Sequence, residues 1–295
     1  MSGKPDSPEP ATHAAGATIA ALGALLARRA LDAQERGECF KVGLSGAQGS
    51  GKSTLAAVLR RLLHARGLSA VVLSLDDFYL TRAQRAKLAR RVHPLLQTRG
   101  VPGTHDIALA LQVIDALQRP GELALPCFDK ASDDRRPPED WPHVRTPVQV
   151  ILLEGWCLCA SPQPEAALAQ PVNALEARED ADGTWRRYVN AAVGGDFRRL
   201  CGLLDYRIFL AAPGFEAVFP WRLQQESELR RQVAAAGAEA TQLMSDAQLQ
   251  RFVDHYERLT RHMLETMPAR ADVVIRLDSA RGMTLQPAAG DEARQ

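Results

Sequence analysis

The run Gly46-Ala47-Gln48-Gly49-Ser50-Gly51-Lys52-Ser53, followed by Thr54, has the residue types needed to grip the phosphates of a nucleoside triphosphate. Gly46, Gly49 and Gly51 let the backbone curl so that successive N–H groups converge on phosphate oxygens. Lys52 reaches the outer phosphates as a point charge, and the Ser53 hydroxyl can complete the shell of a Mg²⁺ ion. The plainer alternative is a chance Gly/Ser loop. Against it, every defining position is filled, an apolar run (Cys39 to Leu44) precedes, and a helical pattern follows.

Two further segments end in acids. Ser74-Leu75-Asp76-Asp77-Phe78-Tyr79 delivers two carboxylates at a strand end. A hydroxyl attacking phosphorus needs a carboxylate to orient it and take its proton. Turns and helix caps also use such aspartates, but beside a phosphate loop chemistry is the better reading. Asp76 is the candidate base, Asp77 a second one, and Asp77 and Tyr79 are candidate acceptor contacts. Val150 to Trp156 is an apolar strand ending in Glu154, a pattern in which the carboxylate engages Mg²⁺ directly or through water.

Between them, the Gly/Pro-rich stretch Leu95 to Asp106 must be a loop. It carries Arg99, His105 and Asp106, which suit a small polar or anionic ligand; Asp106 also fits the cap of the next helix. Leu125 to Arg136 adds Phe128, Lys130 and Arg135, while a solvated charge run accounts for Asp134 and Arg136. Arg222 opens a helical stretch ahead of Arg230 and Arg231. A mobile arginine spreads transition-state charge and excludes water, although surface arginines are commoner. His255, Tyr256 and Arg258 are explained by helix packing.

A mostly parallel α/β sheet must position these groups, because functional residues gather at the carboxyl ends of its strands. Strands are expected at Phe40 to Leu44, Ala70 to Leu75, Val148 to Leu153, Tyr206 to Leu210 and Val273 to Leu277. All are rich in Val, Ile or Leu without clean alternation, as when both faces are covered. Helical patterns fit Ser53 to Arg66, Ile107 to Gln118 and a long pair from Pro220 to Met267. Residues 37–283 form the main domain, with 161–195 an excursion rich in Pro, Ala and charge. Residues 1–36 comprise a loose tail and an amphipathic helix on which Ile19, Leu22, Leu26 and Ala30 share a face; residues 284–295 read as a disordered tail.

A chain of 295 residues can bury a large core, and a net charge of +1 leaves no global basic footprint for nucleic acid. The apolar stretch Ala14 to Ala27 lacks a basic flank and a cleavage site, and nothing approaches membrane-spanning length. The five cysteines show neither a C-x-x-C site nor a paired framework. They are expected as small core residues in a reducing, cytoplasmic compartment. Oligomeric state is left open.

The strings GAQGSGKST, SLDDFYLT, HPLLQTRGVPGTHD, LPCFDKASDDR, LLEGWC, WRRYVN and FPWRLQQE together resemble the D-glycerate 3-kinases. These are a branch of the P-loop kinases that also contains uridine kinase, phosphoribulokinase and bacterial pantothenate kinase. The resemblance runs from about Phe40 to Leu277. It implies a P-loop NTPase three-layer sandwich with a helical lid, and transfer of the γ-phosphoryl of ATP, with Mg²⁺, to a small hydroxy acid. By the same resemblance that acid is expected to be D-glycerate, giving 3-phospho-D-glycerate. By resemblance, Asp76 falls at the base, Glu154 at the Mg²⁺-holding acid, and Asp106 where substrate hydroxyls are held. Phe128 and Arg135 fall in the acceptor pocket and Arg222 in the lid. The glycerate carboxylate must meet cations, for which Arg99, Lys130 and Arg135 are the candidates. Cys159 stands where Gly is expected after the EGW element, and its side chain is expected to narrow the pocket.

Two rivals remain. A related kinase for a nucleoside or pantothenate-like alcohol needs a larger, more aromatic pocket, whereas aromatic residues total 5%. A non-catalytic ATP-sensing module needs neither the paired acids nor the cationic loop. A GTPase lacks its guanine-reading Asn-Lys-x-Asp string here.

Overall fold

The computed structural model describes residues 10–235 and 245–287. Helix α1 (Pro10–Glu35) leads to β1 (Phe40–Gly46), the phosphate loop, α2 (Lys52–His64) and β2 (Ala70–Ser74). Helices α3 (Arg82–Arg91) and α4 (Ile107–Ala116) follow. Next come β3 (Gly121–Ala124), β4 (Phe128–Asp129), β5 (Asp134–Arg135) and β6 (His143–Thr146), in which β3 pairs with β6 around the small β4–β5 hairpin. Then come β7 (Val150–Gly155), α5 (Ala174–Glu179), α6 (Thr184–Ala192), α7 (Arg198–Cys201) and β8 (Tyr206–Ala211). The chain continues through α8 (Val218–Ala235), α9 (Asp246–Asp254), α10 (Glu257–Thr266), β9 (Val273–Leu277) and β10 (Met283–Pro287).

Six strands form one sheet in the order β10-β9-β8-β1-β7-β2, parallel except for β10. Helices cover both faces, which is why the strands read as unbroken apolar runs. Val42, Leu44, Leu152 and Ile208 meet Leu26 of α1 and Leu55 and Leu59 of α2 on one face. Leu73, Ile151, Leu153 and Phe209 meet Ile114 of α4 and Met263 of α10 on the other. The expected three-layer α/β arrangement is therefore the observed one. Leu22, Leu26 and Ala30 of α1 are buried as their spacing predicts. The pairing register sets Leu44 beside Glu154, and Glu154 beside Ser74, so the ends of β1, β7 and β2 lie abreast. Among the described residues no helix is long and apolar enough to cross a membrane.

Several expectations need correction. The segment from Thr284 is not a tail from its start: residues 284–287 pair antiparallel with β9, and 288–295 lie outside the described residues. The second of the long helices is two, because the chain breaks at His255-Tyr256 between α9 and α10. The excursion carries α5 and α6, and buried ion pairs tie it down: Arg258 to Glu176 of α5 at 2.6 Å, and Arg186 of α6 to Asp180 at 2.9 Å.

Cysteines do pair. Cys159 and Cys201, 42 residues apart, form a disulfide with Cα atoms 5.1 Å apart, because α7 packs under the loop after β7. Cys39, Cys127 and Cys157 are free, and the pair removes the cysteine argument for a reducing compartment. Cys159 does not narrow the pocket either. It takes φ 62, the left-handed conformation that makes glycine the expected residue, and its buried side chain turns to Cys201.

Candidate active site

The ends of β1, β2 and β7 open onto one cleft of about 210 Å³. Its floor is the phosphate loop. Gly49 and Gly51 hold φ of 76 and 87, conformations open to glycine, and Gly51 turns the chain directly into α2. Gln48, Gly49, Lys52 and Ser53 line the cleft, whereas Ala47 and Ser50 are buried beneath it and Thr54 lies exposed on α2. Gly46 closes β1 behind them. The Lys52 ammonium donates to the Ala47 carbonyl at 3.0 Å, so it rests folded over the loop. Burial pushes its pKa down, against the pull of Glu154 and Asp76.

Glu154 is 6% exposed and accepts from two hydroxyls at one oxygen, Ser53 at 2.8 Å and Ser74 at 2.9 Å. Asp76 also lines the cleft. One of its oxygens accepts from the Tyr79 hydroxyl at 2.7 Å, the other from the Lys130 ammonium at 2.7 Å. Burial alone would raise the Asp76 carboxyl. Lys130 foremost, with Tyr79 and His105, overrides it and holds the pKa at about 2.

Arg99 and Lys130 bring cations to the same cleft, and Arg222 enters from α8. Arg99 lies over the Phe128 ring, 5.5 Å from its centroid, and pairs with Asp133, which also holds the fully buried Arg85. Arg222 donates to Gln225 at 2.7 Å, while its Nε is buried without a partner. Both polar atoms of the Gln48 amide are buried without partners as well. Unmet polar groups clustered around a cleft mark the demand a ligand would satisfy.

The other proposed contacts sit behind this surface. Asp77 turns away and accepts the Phe128 N–H at 3.1 Å, anchoring the β4–β5 hairpin. Asp106 caps α4 through the Leu109 N–H at 3.0 Å and pairs with Arg135 at 3.3 Å. Arg135 donates a further bond to the Tyr79 carbonyl. His105 stacks beneath Tyr79, ring centroids 4.6 Å apart, and burial pushes its pKa down to about 4 against the pull of Asp76. Phe128 is buried edge-on to Tyr79.

Ser74, Trp156, Gln225, Phe252 and Tyr256 also line the cleft, although their sequence context marks none of them as a site residue. Trp156 donates to the Gly100 carbonyl at 2.8 Å and Tyr256 to the Arg99 carbonyl at 3.2 Å, so the two fix the Arg99 loop. Ser74 comes closest to a signal, since it stands one residue before the acidic turn. Tyr256 reaches the site through a 157-residue separation that no local pattern signals.

No family model matches the chain. It is 34% identical over 230 residues to the uncharacterized kinase mug58 of Schizosaccharomyces pombe, across 75% of this chain and 79% of that one. It is 32% identical over 246 residues to the chloroplastic D-glycerate 3-kinase of Arabidopsis thaliana, across 77% of this chain but 48% of the longer plant protein. The chain belongs to the same family of P-loop kinases as mug58. The fold of this kinase also matches the solved D-glycerate 3-kinase of Cryptococcus neoformans, with a TM-score of 0.72, 22% identity, and coverage of 92% of this chain and 99% of that one.

Proposed function

We propose that this kinase transfers the γ-phosphoryl of ATP to the 3-hydroxyl of D-glycerate. The observation that carries the reading is the cleft itself: Arg99 and Lys130 bring cations within reach of Asp76 and Lys52 in about 210 Å³. A hydroxy acid brings a carboxylate for the cations and a hydroxyl for the aspartate, and is small enough to share that space with the phosphates. A kinase relative that bears the glycerate name supports the choice. The aromatic argument against a nucleoside acceptor does not hold locally, since Tyr79, Trp156, Phe252 and Tyr256 all line the cleft. Its small volume makes that argument instead.

Mg²⁺ fits the residues present. Ser53 and Glu154 offer hard oxygens 2.8 Å apart, and no cluster of three or more His, Cys, Asp or Glu stands ready among the described residues. That suits an ion that takes its other ligands from phosphate and water. When bound, it neutralises charge on the β- and γ-phosphates.

In the mechanism, Lys52 leaves the Ala47 carbonyl for the phosphate oxygens, and Arg222 adds a second cation from the lid. Asp76 accepts the hydrogen bond of the acceptor hydroxyl and aligns its oxygen with the γ-phosphorus. The new O–P bond forms as the bond to the β–γ bridging oxygen breaks, ADP leaves, and the hydroxyl proton passes to Asp76. A carboxyl held near 2 is a weak base, so orientation is its larger contribution. A reaction that consumes ATP fits a cytoplasmic setting.

The test is ADP release with MgATP and D-glycerate, L-glycerate, uridine, pantothenate or no acceptor. Stimulation by D-glycerate with 3-phosphoglycerate as product is the expected result. Stimulation by uridine or pantothenate instead would move the substrate, and release indifferent to every acceptor would favour an ATP-sensing module.

A further inference from the structure

The turn between β9 and β10 lies outside every motif discussed so far, yet it reaches the phosphate loop. Residues Asp278 to Gly282 close on themselves: the Asp278 N–H donates to the Gly282 carbonyl at 3.0 Å, and the Gly282 N–H to Asp278 Oδ1 at 2.6 Å. At its tip Arg281 holds φ 66, a left-handed backbone that a long side chain rarely adopts. The guanidinium donates from Nε to the Gly49 carbonyl at 2.7 Å and from Nη1 to Gln224 Oε1 at 2.8 Å. Its Nη2 donates to the Trp221 carbonyl at 3.4 Å, and its plane lies over the Trp221 indole, 5.4 Å from the centroid. Trp221 returns a bond from its indole N–H to the Ser279 carbonyl at 2.9 Å.

We propose that Arg281 is a positioning residue for the nucleotide phosphates, bracing the phosphate loop and the start of the α8 lid against each other. Two physical reasons support this. Gly49 combines a permissive residue with φ 76, so its peptide can reorient at low cost. A carbonyl turned toward those phosphates would set oxygen against oxygen. Arg281 is not among the residues lining the cleft, so a Gly49 carbonyl bound to it is held toward a group outside that space. Second, a Cβ on Gly49 would lie 2.6 Å from the Trp221 Cβ. Loop and lid are therefore in direct contact, and Arg222, the next residue along, faces the cleft. One guanidinium fixes both, in a fork geometry that lysine cannot reproduce.

Because the claim concerns nucleotide alone, it is tested by calorimetric titration with MgADP, without any acceptor. In R281A the dissociation constant should rise about tenfold, the scale of one charge-assisted hydrogen bond lost. The melting temperature without nucleotide should stay within a few degrees of wild type. R281K, which can still serve the Gly49 carbonyl, should recover part of the affinity, and the acceptor KM should stay unchanged in both. Wild-type MgADP affinity in folded R281A would overturn the proposal. So would an affinity loss that tracks lost thermal stability and is not relieved by R281K. Should R281A fail to fold, R281K decides: binding weakened about twofold to fivefold supports the brace, and wild-type binding overturns it.

Discussion

The two halves of the cleft are built differently. The phosphate half stands on strand ends: β1 delivers the loop, β7 delivers Glu154 and β2 delivers Ser74 just ahead of Asp76, with their register fixed by backbone pairing. The half we assign to the acceptor is assembled from loops. Arg99 is fixed by Trp156 and Tyr256, and Lys130 rides on the β4–β5 hairpin that Asp77 anchors. The first half is fixed by backbone hydrogen bonds between neighbouring strands. The second is held by side chains from distant parts of the chain, so acceptor choice can change without disturbing the phosphate site.

The sharpest way to break that division is Lys52→Ala, which should cost about 10³-fold or more in kcat with the fold intact. Asp76→Asn should lower kcat by about 10²- to 10⁴-fold while MgATP affinity stays near wild type. A folded Asp76→Asn enzyme with a normal rate would remove Asp76 from its role.

Lys130→Met belongs to the acceptor half and should raise the acceptor KM about tenfold without changing the KM for ATP. It also has a pH signature. The folded-state pKa of Asp76 lies near 2, below the ordinary carboxylate value of 3.8. Its stabilising contribution is therefore present above that ordinary value and is lost as pH falls through about 2. Without Lys130, burial dominates, and the acid limb of the pH–rate profile should move upward. An unmoved limb would show that another group sets it.

Asp77→Ala should change kcat by only about threefold and cost about 1 kcal/mol in stability, since it removes the acceptor of the Phe128 N–H and so one anchor of the hairpin rather than a reacting group. Leu26→Ala should leave kinetic constants alone. Its buried side chain packs α1 on the sheet, so unfolding by denaturant should show a loss of about 2–5 kcal/mol.

The same division governs what could be read in the sequence. The phosphate half was legible because its chemistry is local: Gly49, Gly51, Lys52 and Ser53 are consecutive or nearly so, and the apolar strands mark their own ends. Asp76 against Asp77 was not decidable locally, since the difference lies in which way a short turn points each carboxylate. Helix α3 escaped notice because its sequence is strongly polar. It is held by a Thr81–Gln84 capping box and by Arg85 reaching Asp133 across the fold. Strand β10 reads as a tail in the sequence because its pairing partner, β9, is what makes it a strand. The Cys159–Cys201 pair and the reach of Tyr256 into the cleft depend on long-range packing, which no periodicity reports.

The proposed function requires the loop-built half of the cleft to read a carboxylate. The decisive measurement is kcat/KM for D-glycerate against glycerol, which keeps the hydroxyls and lacks the acid, in the wild type and in Arg99→Met. Wild type should favour D-glycerate by about 10²-fold or more, the preference should collapse in Arg99→Met, and the KM for ATP should hold. Equal use of glycerol by the wild type, or a preference that survives loss of Arg99, would contradict it.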